Sequence, residues 1–194
     1  MNKPIDHRMR VTRALLKEAL FRLIKVKNLH EITIKELCFE AKINRTTFYA
    51  HYQSITDLIS QLELEALDEL MLIFKKSAYD PRYFSSEIYL DVFKLAKEHR
   101  DLFELVLIEN ADPSFLEKVY RLGEGVFTKI YEPTFSSKEK KHLQYYYISV
   151  LNSFVGILRA WLQNGLRESI EDISEIAKKI ITRGIHYLLE SKYT

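Results

Sequence analysis

One cysteine, five glycines and four prolines in 194 residues leave several architectures without their raw material. A single thiol cannot build an internal disulfide framework, and it fits a reducing, cytoplasmic compartment. Scarce turn residues and no sustained strand-like alternation point to an all-α chain. No apolar run approaches the roughly 18 residues of a membrane span, so no membrane association is expected. The N-terminus MNKPIDHRMR lacks the apolar core of a secretory leader.

Catalytic patterns are missing too. No G-x-S-x-G, H-E-x-x-H or phosphate-cradling glycine loop occurs, and Gly123-Glu124-Gly125 is an isolated G-x-G within a helical pattern. The six histidines are scattered, and Cys38 has no Cys or His neighbour at metal-ligand spacing. No catalytic residue, metal or cofactor is expected.

What is present is charge of uneven placement. The net charge is only +2, yet residues 1–53 hold eleven Lys/Arg against five Asp/Glu, and the remainder holds 18 against 22. A basic N-terminal third on an acidic body is an electrostatic footprint for a polyanion.

Apolar spacing divides the chain into helices. The first runs from about Arg8 to Val26 on a stripe of Val11, Leu15, Ala19, Leu23 and Val26, with Asn28 in the place of a helix-ending glycine. A long helix fits Ile55 to Lys76, and Tyr79-Asp80-Pro81 breaks the chain. Shorter helices fit Ser85–Glu98, Leu102–Glu109 and Ser114–Tyr131. A helix from Lys138 to Asn164 carries a broad apolar face. After Gly165, Ser169 and Asp172 cap a last helix with Ile173, Ile176, Ile180, Gly184, Ile185 and Leu188 along its stripe.

The densest pattern is TIKELCFEAKINRTTFYAHY, Thr33 to Tyr52. Thr33 with Glu36 forms a capping box, Asn44 caps a second short helix, and Ser54 with Asp57 caps a third. Ile34, Leu37, Cys38 and Ala41 face inward, as do Phe48 and Tyr52. Arg45, Thr46, Thr47, Tyr49 and His51 point outward. This is a helix-turn-helix, and Arg45 in the first turn of the second helix can bond guanine O6 and N7 together. Thr46 can reach a base edge, and Lys35 a base or a phosphate.

These stretches resemble the TetR family of bacterial transcriptional regulators. TIKELC matches its "T-[IV]-x-x-[IL]-A" helix, TTFYAHY its "T-x-Y-x-[HY]-F", and QSITDL its capped fourth helix. The resemblance is strong over residues 8 to 62. GILRAWLQNG, Gly156–Gly165, is more weakly similar to the subgroup containing dihydroxyacetone kinase regulators, and residues 65–140 carry no resemblance.

The resemblance implies an N-terminal helix-turn-helix domain, residues 1–54, and a helical ligand-binding and dimerisation domain, residues 55–194. It implies base reading by Lys35, Arg45 and Thr46, and phosphate contacts from Thr33, Thr47, Tyr49 and His51. Lys42, where most members carry glycine, adds a cation. Ile55 stands where members carry a phosphate-binding lysine, and Arg8, Arg10 and Arg13 can compensate.

A short recognition helix reads few base pairs, so specific binding to double-stranded DNA needs a homodimer. Leu151, Phe154, Val155, Gly156, Leu158, Ile176, Ile180, Gly184 and Leu188 are the expected interface. A small-molecule effector is expected among aromatic residues, with Phe103, Tyr120, Phe127, Tyr131, Tyr147 and Trp161 as candidates. The implied function is a repressor of a palindromic operator, released by a small organic ligand. Lys42 and Ile55 keep open a second reading, an interaction protein (coactivator) with weak or lost sequence-specific DNA binding.

Overall fold

The computed structural model describes residues 4–79, 87–109, 113–131, 133 and 140–183; their regular elements are all helices, with no strand among them. The chain packs as two compact units, residues 1–64 and 65–194. The first holds α1 (Pro4–Ile24), α2 (Ile34–Glu40), α3 (Arg45–Tyr49) and the opening turns of α4 (Ile55–Tyr79). The second holds the rest of α4, then α5 (Ile88–Glu98), α6 (Arg100–Glu104), α7 (Pro113–Tyr131), α8 (Lys140–Gln163) and α9 (Ile170–Arg183).

The core of the first unit is built from Leu16, Ala19 and Leu20 of α1, Leu37 and Cys38 of α2, Phe48, Tyr52, and Leu58 and Leu62 of α4. The inner stripe of α1 therefore differs from the expected one. Val11 is 45% exposed, Leu15 38% and Val26 78%. Apolar residues cover more of the α1 circumference than one stripe, and packing against α2 selects the edge that is buried. Val26 lies beyond the helix end. Asn28 does not end α1 in a left-handed turn: with φ −64° and ψ 145° it is extended and caps the 3₁₀ turn Leu29–Glu31. There its backbone N–H donates to the Glu31 carboxylate at 3.3 Å. Two ion pairs tie the α1 end to α2, Arg22 Nε to Glu40 Oε1 at 2.6 Å and Lys27 Nζ to Glu36 Oε1 at 2.7 Å.

In the second unit α5 packs on α9, and α8 packs on both α6 and α7. Trp161 is at its centre, 1% exposed, with its ring edge-on to Phe93 at 5.2 Å. Its indole N–H donates to the Glu168 carbonyl at 3.1 Å. Helix α8 ends in a Schellman turn: Leu166 N–H bonds the Trp161 carbonyl and Gly165 N–H the Leu162 carbonyl, with Gly165 at φ 75°. After α6 the chain widens into a π-helical segment, Leu105–Glu109. Such insertions recur at functional sites. Among the described residues no helix is long and apolar enough to cross a membrane.

Candidate nucleic-acid interface and interior cavity

The short α2–α3 pair is held by its caps. Glu36 N–H donates to Thr33 Oγ1 at 3.2 Å, and Thr33 N–H donates to Glu36 Oε2 at 2.9 Å. The Thr33 hydroxyl also donates to Glu36, at 2.7 Å. The Lys27 ammonium on the other carboxylate oxygen, followed by the two Thr33 bonds, draws the Glu36 pKa down to about 2. Thr33 thus has its hydroxyl hydrogen committed to the cap, and only its lone pairs are left for other partners.

The turn after α2 is a second Schellman motif. Ile43 N–H bonds the Cys38 carbonyl at 3.0 Å and Lys42 N–H the Phe39 carbonyl at 3.1 Å. Lys42 occupies the left-handed position of this motif at φ 56°, where glycine is strain-free. Asn44 then caps α3, its side chain accepting from Thr46 N–H at 2.9 Å. Phe48 and Tyr52 are buried beneath, 0% and 2% exposed, and the Arg13 guanidinium donates to the Tyr52 hydroxyl at 3.2 Å.

This geometry leaves Lys35, Lys42, Arg45, Thr46 and Tyr49 exposed, and Thr47 and His51 half-buried. Tyr49 stands edge-on against Phe48 at 5.6 Å, which orients its ring while more than half of it stays open to solvent. Cys38 is buried, and that burial raises its thiol pKa, so it stays protonated. Ile55 opens α4, half-buried, above a cap in which Asp57 N–H donates to Ser54 Oγ at 3.0 Å.

The second unit encloses a cavity of about 760 Å³, its open mouth included. Leu70 and Phe74 of α4, Tyr89 of α5, Phe115 of α7 and Phe154 of α8 contribute to its wall, with Leu107 from the π-helical segment. Of the six aromatic residues expected at a ligand site, Phe103 and Tyr147 line it. Tyr120, Phe127 and Trp161 do not. Phe127 sits in a cluster with Leu143, Tyr147 and Leu151, and Tyr120 donates its hydroxyl to Asn152. The Tyr131 side chain lies outside the described residues. Sequence reasoning missed Phe74, Tyr89, Phe115 and Phe154, whose only signal was an apolar stripe on each helix.

Residues expected at a dimer interface are distributed differently. Leu151 and Leu158 are buried inside the protomer and line the cavity with Phe154 and Val155. Ile176 and Ile180 are half-buried, Gly156 is exposed, and Gly184 and Leu188 lie outside the described residues. The exposed face of α8 carries Tyr145 (71% exposed), Tyr146, Ser149, Asn152 and Ser153 instead.

Among the described residues, Glu69, Glu98 and His99 bring ligand-type atoms within 4.8 Å of one another. The His99 Nε2 to Glu69 Oε1 approach of 3.1 Å accounts for this grouping as an ion pair whenever the imidazole is protonated.

A capped helix-turn-helix with a basic outer surface, followed by a helical unit around an apolar cavity, defines a transcriptional regulator with an internal binding space. The family model described as the transcriptional regulator C-terminal region of TetR type matches residues 85–183. The chain belongs to the TetR family of transcriptional regulators.

Solved structures share its fold. The transcriptional regulator FadR from Bacillus subtilis, in complex with stearoyl-CoA, superposes with a TM-score of 0.71 at 12% identity, over 89% of this chain and 99% of that one. The dihydroxyacetone kinase operon activator DhaS gives 0.60 at 20% identity, over 90% and 96%. Thermus thermophilus FadR, a TetR-family repressor in complex with lauroyl-CoA, gives 0.53 at 15% identity, over 89% and 94%. No curated protein sequence gives a significant match.

Proposed function

We propose that this cytoplasmic regulator is a repressor that binds a palindromic operator as a homodimer and leaves it when a small organic molecule occupies the cavity. The observation that carries the reading is the exposed first turn of α3, where Arg45 and Thr46 stand clear of the core above the buried Phe48. A guanidinium there can make two bonds to one guanine, a contact that discriminates between bases. Lys35 is the third base reader. Lys42, Thr47, Tyr49 and His51 contact phosphates, and Thr33, its hydroxyl hydrogen held by Glu36, joins them only through a bridging water.

The dimer uses the exposed face of α8, with Tyr145, Asn152 and Gly156, together with Ile176 and Ile180 of α9. Among the described residues a methyl added to Gly156 would meet nothing within 4 Å, which supports its place on this face. Effector control acts through α4, which supplies Leu58 and Leu62 to one core and Leu70 and Phe74 to the cavity wall. A ligand shifts such an equilibrium only by binding one state more tightly than the other.

Fluorescence anisotropy against DNA upstream of the protein's own gene, with a scrambled duplex beside it over a salt series, tests the reading. Preferential binding with a steep salt slope is expected. Arg45→Ala should cost about 1–3 kcal/mol of discrimination. Equal weak binding to both duplexes overturns it and favours a coactivator acting through a protein partner, a reading that the apolar Ile55 at the start of α4 supports.

A further inference from the structure

The cavity wall is unusual for what it omits. Among the described lining residues there is no Lys, Arg, His, Asp or Glu, and the polar side-chain atoms are two phenol hydroxyls, on Tyr89 and Tyr147. The Tyr147 hydroxyl donates its hydrogen to the Tyr120 carbonyl at 2.7 Å, so it cannot offer that hydrogen to a ligand without breaking the bond. Burial first, then the negative charge of Glu124 and the neighbouring Tyr120, raises the Tyr147 pKa well above its ordinary value. A carboxylate or phosphate entering here would lose its water and find no cation on the described wall.

We propose that the cavity takes an uncharged apolar molecule, such as a medium-chain alcohol or ester, and rejects the same chain ended by a carboxylate or carried on coenzyme A. The proposal rests on the effector reading above and deepens it by fixing the ligand's charge class. It sets this chain apart from the structural neighbours crystallised with acyl-CoA thioesters. An alcohol has the further advantage that its O–H can donate to a phenol oxygen, whose lone pairs are acceptors. The apolar body is held by aromatic and aliphatic walls from Phe74, Phe103, Phe115 and Phe154.

The test uses the full chain and the neutral fluorescent probe N-phenylnaphthylamine, displaced in turn by decanol, methyl decanoate, decanoate and decanoyl-CoA at mildly alkaline pH. Decanol and the methyl ester are expected to displace it, with decanoate and the thioester weaker by about 100-fold or more. Displacement by decanoate or decanoyl-CoA as strong as by decanol overturns the proposal, as does failure of the probe and decanol to bind. Val155→Arg places a guanidinium at a half-buried lining position and should shift the ratio of decanoate to decanol affinity towards decanoate by about 10-fold or more. Should that variant not fold, the wild-type series decides alone. Operator release is read separately: decanol that binds without releasing DNA sinks the effector reading and leaves this one standing. Release by the thioester alone does the reverse.

Discussion

The hydroxyl of Tyr147 fills the space that a side chain on Gly123 would need. A methyl at Gly123 would lie 2.5 Å from that oxygen and 3.3 Å from the Phe74 ring. Both neighbours line the cavity, so this glycine of α7 sets how closely α8 and α4 approach it.

Gly123→Ala should therefore destabilise the second unit by about 1–3 kcal/mol, as overpacking of a filled interior does. Gly125, two residues on in the same helix, has none of the described residues within 4 Å of its missing methyl. Gly125→Ala should instead stabilise by about 0.5–1 kcal/mol through helix propensity. Urea denaturation of the two variants should show midpoints moving in opposite directions.

Lys42 holds a left-handed backbone at φ 56°. Lys42→Gly relieves that strain and should raise stability by about 1 kcal/mol, while lowering the salt slope of DNA binding by about one. Thermal unfolding and a salt titration on the same preparation check both halves. A variant that gains stability and keeps its salt slope would remove Lys42 from the phosphate contacts.

Ile55→Lys supplies the cation that is missing at the start of α4. The position is half-buried at a helix end, so a lysine stem can lie along the surface with its ammonium in water. Operator affinity at low salt should rise and the salt slope should steepen by about one. An unchanged slope would mean that the α4 start does not meet the DNA backbone.

Glu36 makes the first unit acid-sensitive in a defined window. Its folded-state pKa is depressed from 4.5 to about 2 by Lys27 and the Thr33 cap. Its contribution is complete above the unfolded value and is lost as pH falls from about 4.5 through about 2. Glu36→Gln should flatten the fall of Tm across that window and lower Tm near neutrality. An acid limb identical to the parent's would contradict the assignment.

Local chemistry was legible in the sequence where it is self-contained. The caps at Thr33, Asn44, Ser54 and Ser169 depend on side chains within three residues, and each forms its bond. Phe48 and Tyr52 are buried as their i, i+4 spacing requires. The α1 stripe was not legible, because Val11 and Leu15 share the helix with Leu16 and Leu20 and only a packed partner distinguishes them. The π-helical segment escaped for the same reason: its widened turn is a response to surroundings. The cavity was the hardest part. Its wall is assembled from α4 through α8, and aromatic character alone could not separate Phe103 and Phe115 at the cavity from Trp161 in the solid core.

Trp161 nevertheless has a use that its burial creates. It is the chain's sole indole, shielded from water, and Phe93 bridges it to Phe154 of the cavity wall with ring centres 5.2 and 5.1 Å apart. Its emission is thus a built-in optical gauge, coming from one site, undiluted by other tryptophans, and two aromatic rings removed from a guest in the cavity. Ligand screening needs no label: a shift in that single band reports occupancy, and its collapse towards the colour of solvated indole reports unfolding.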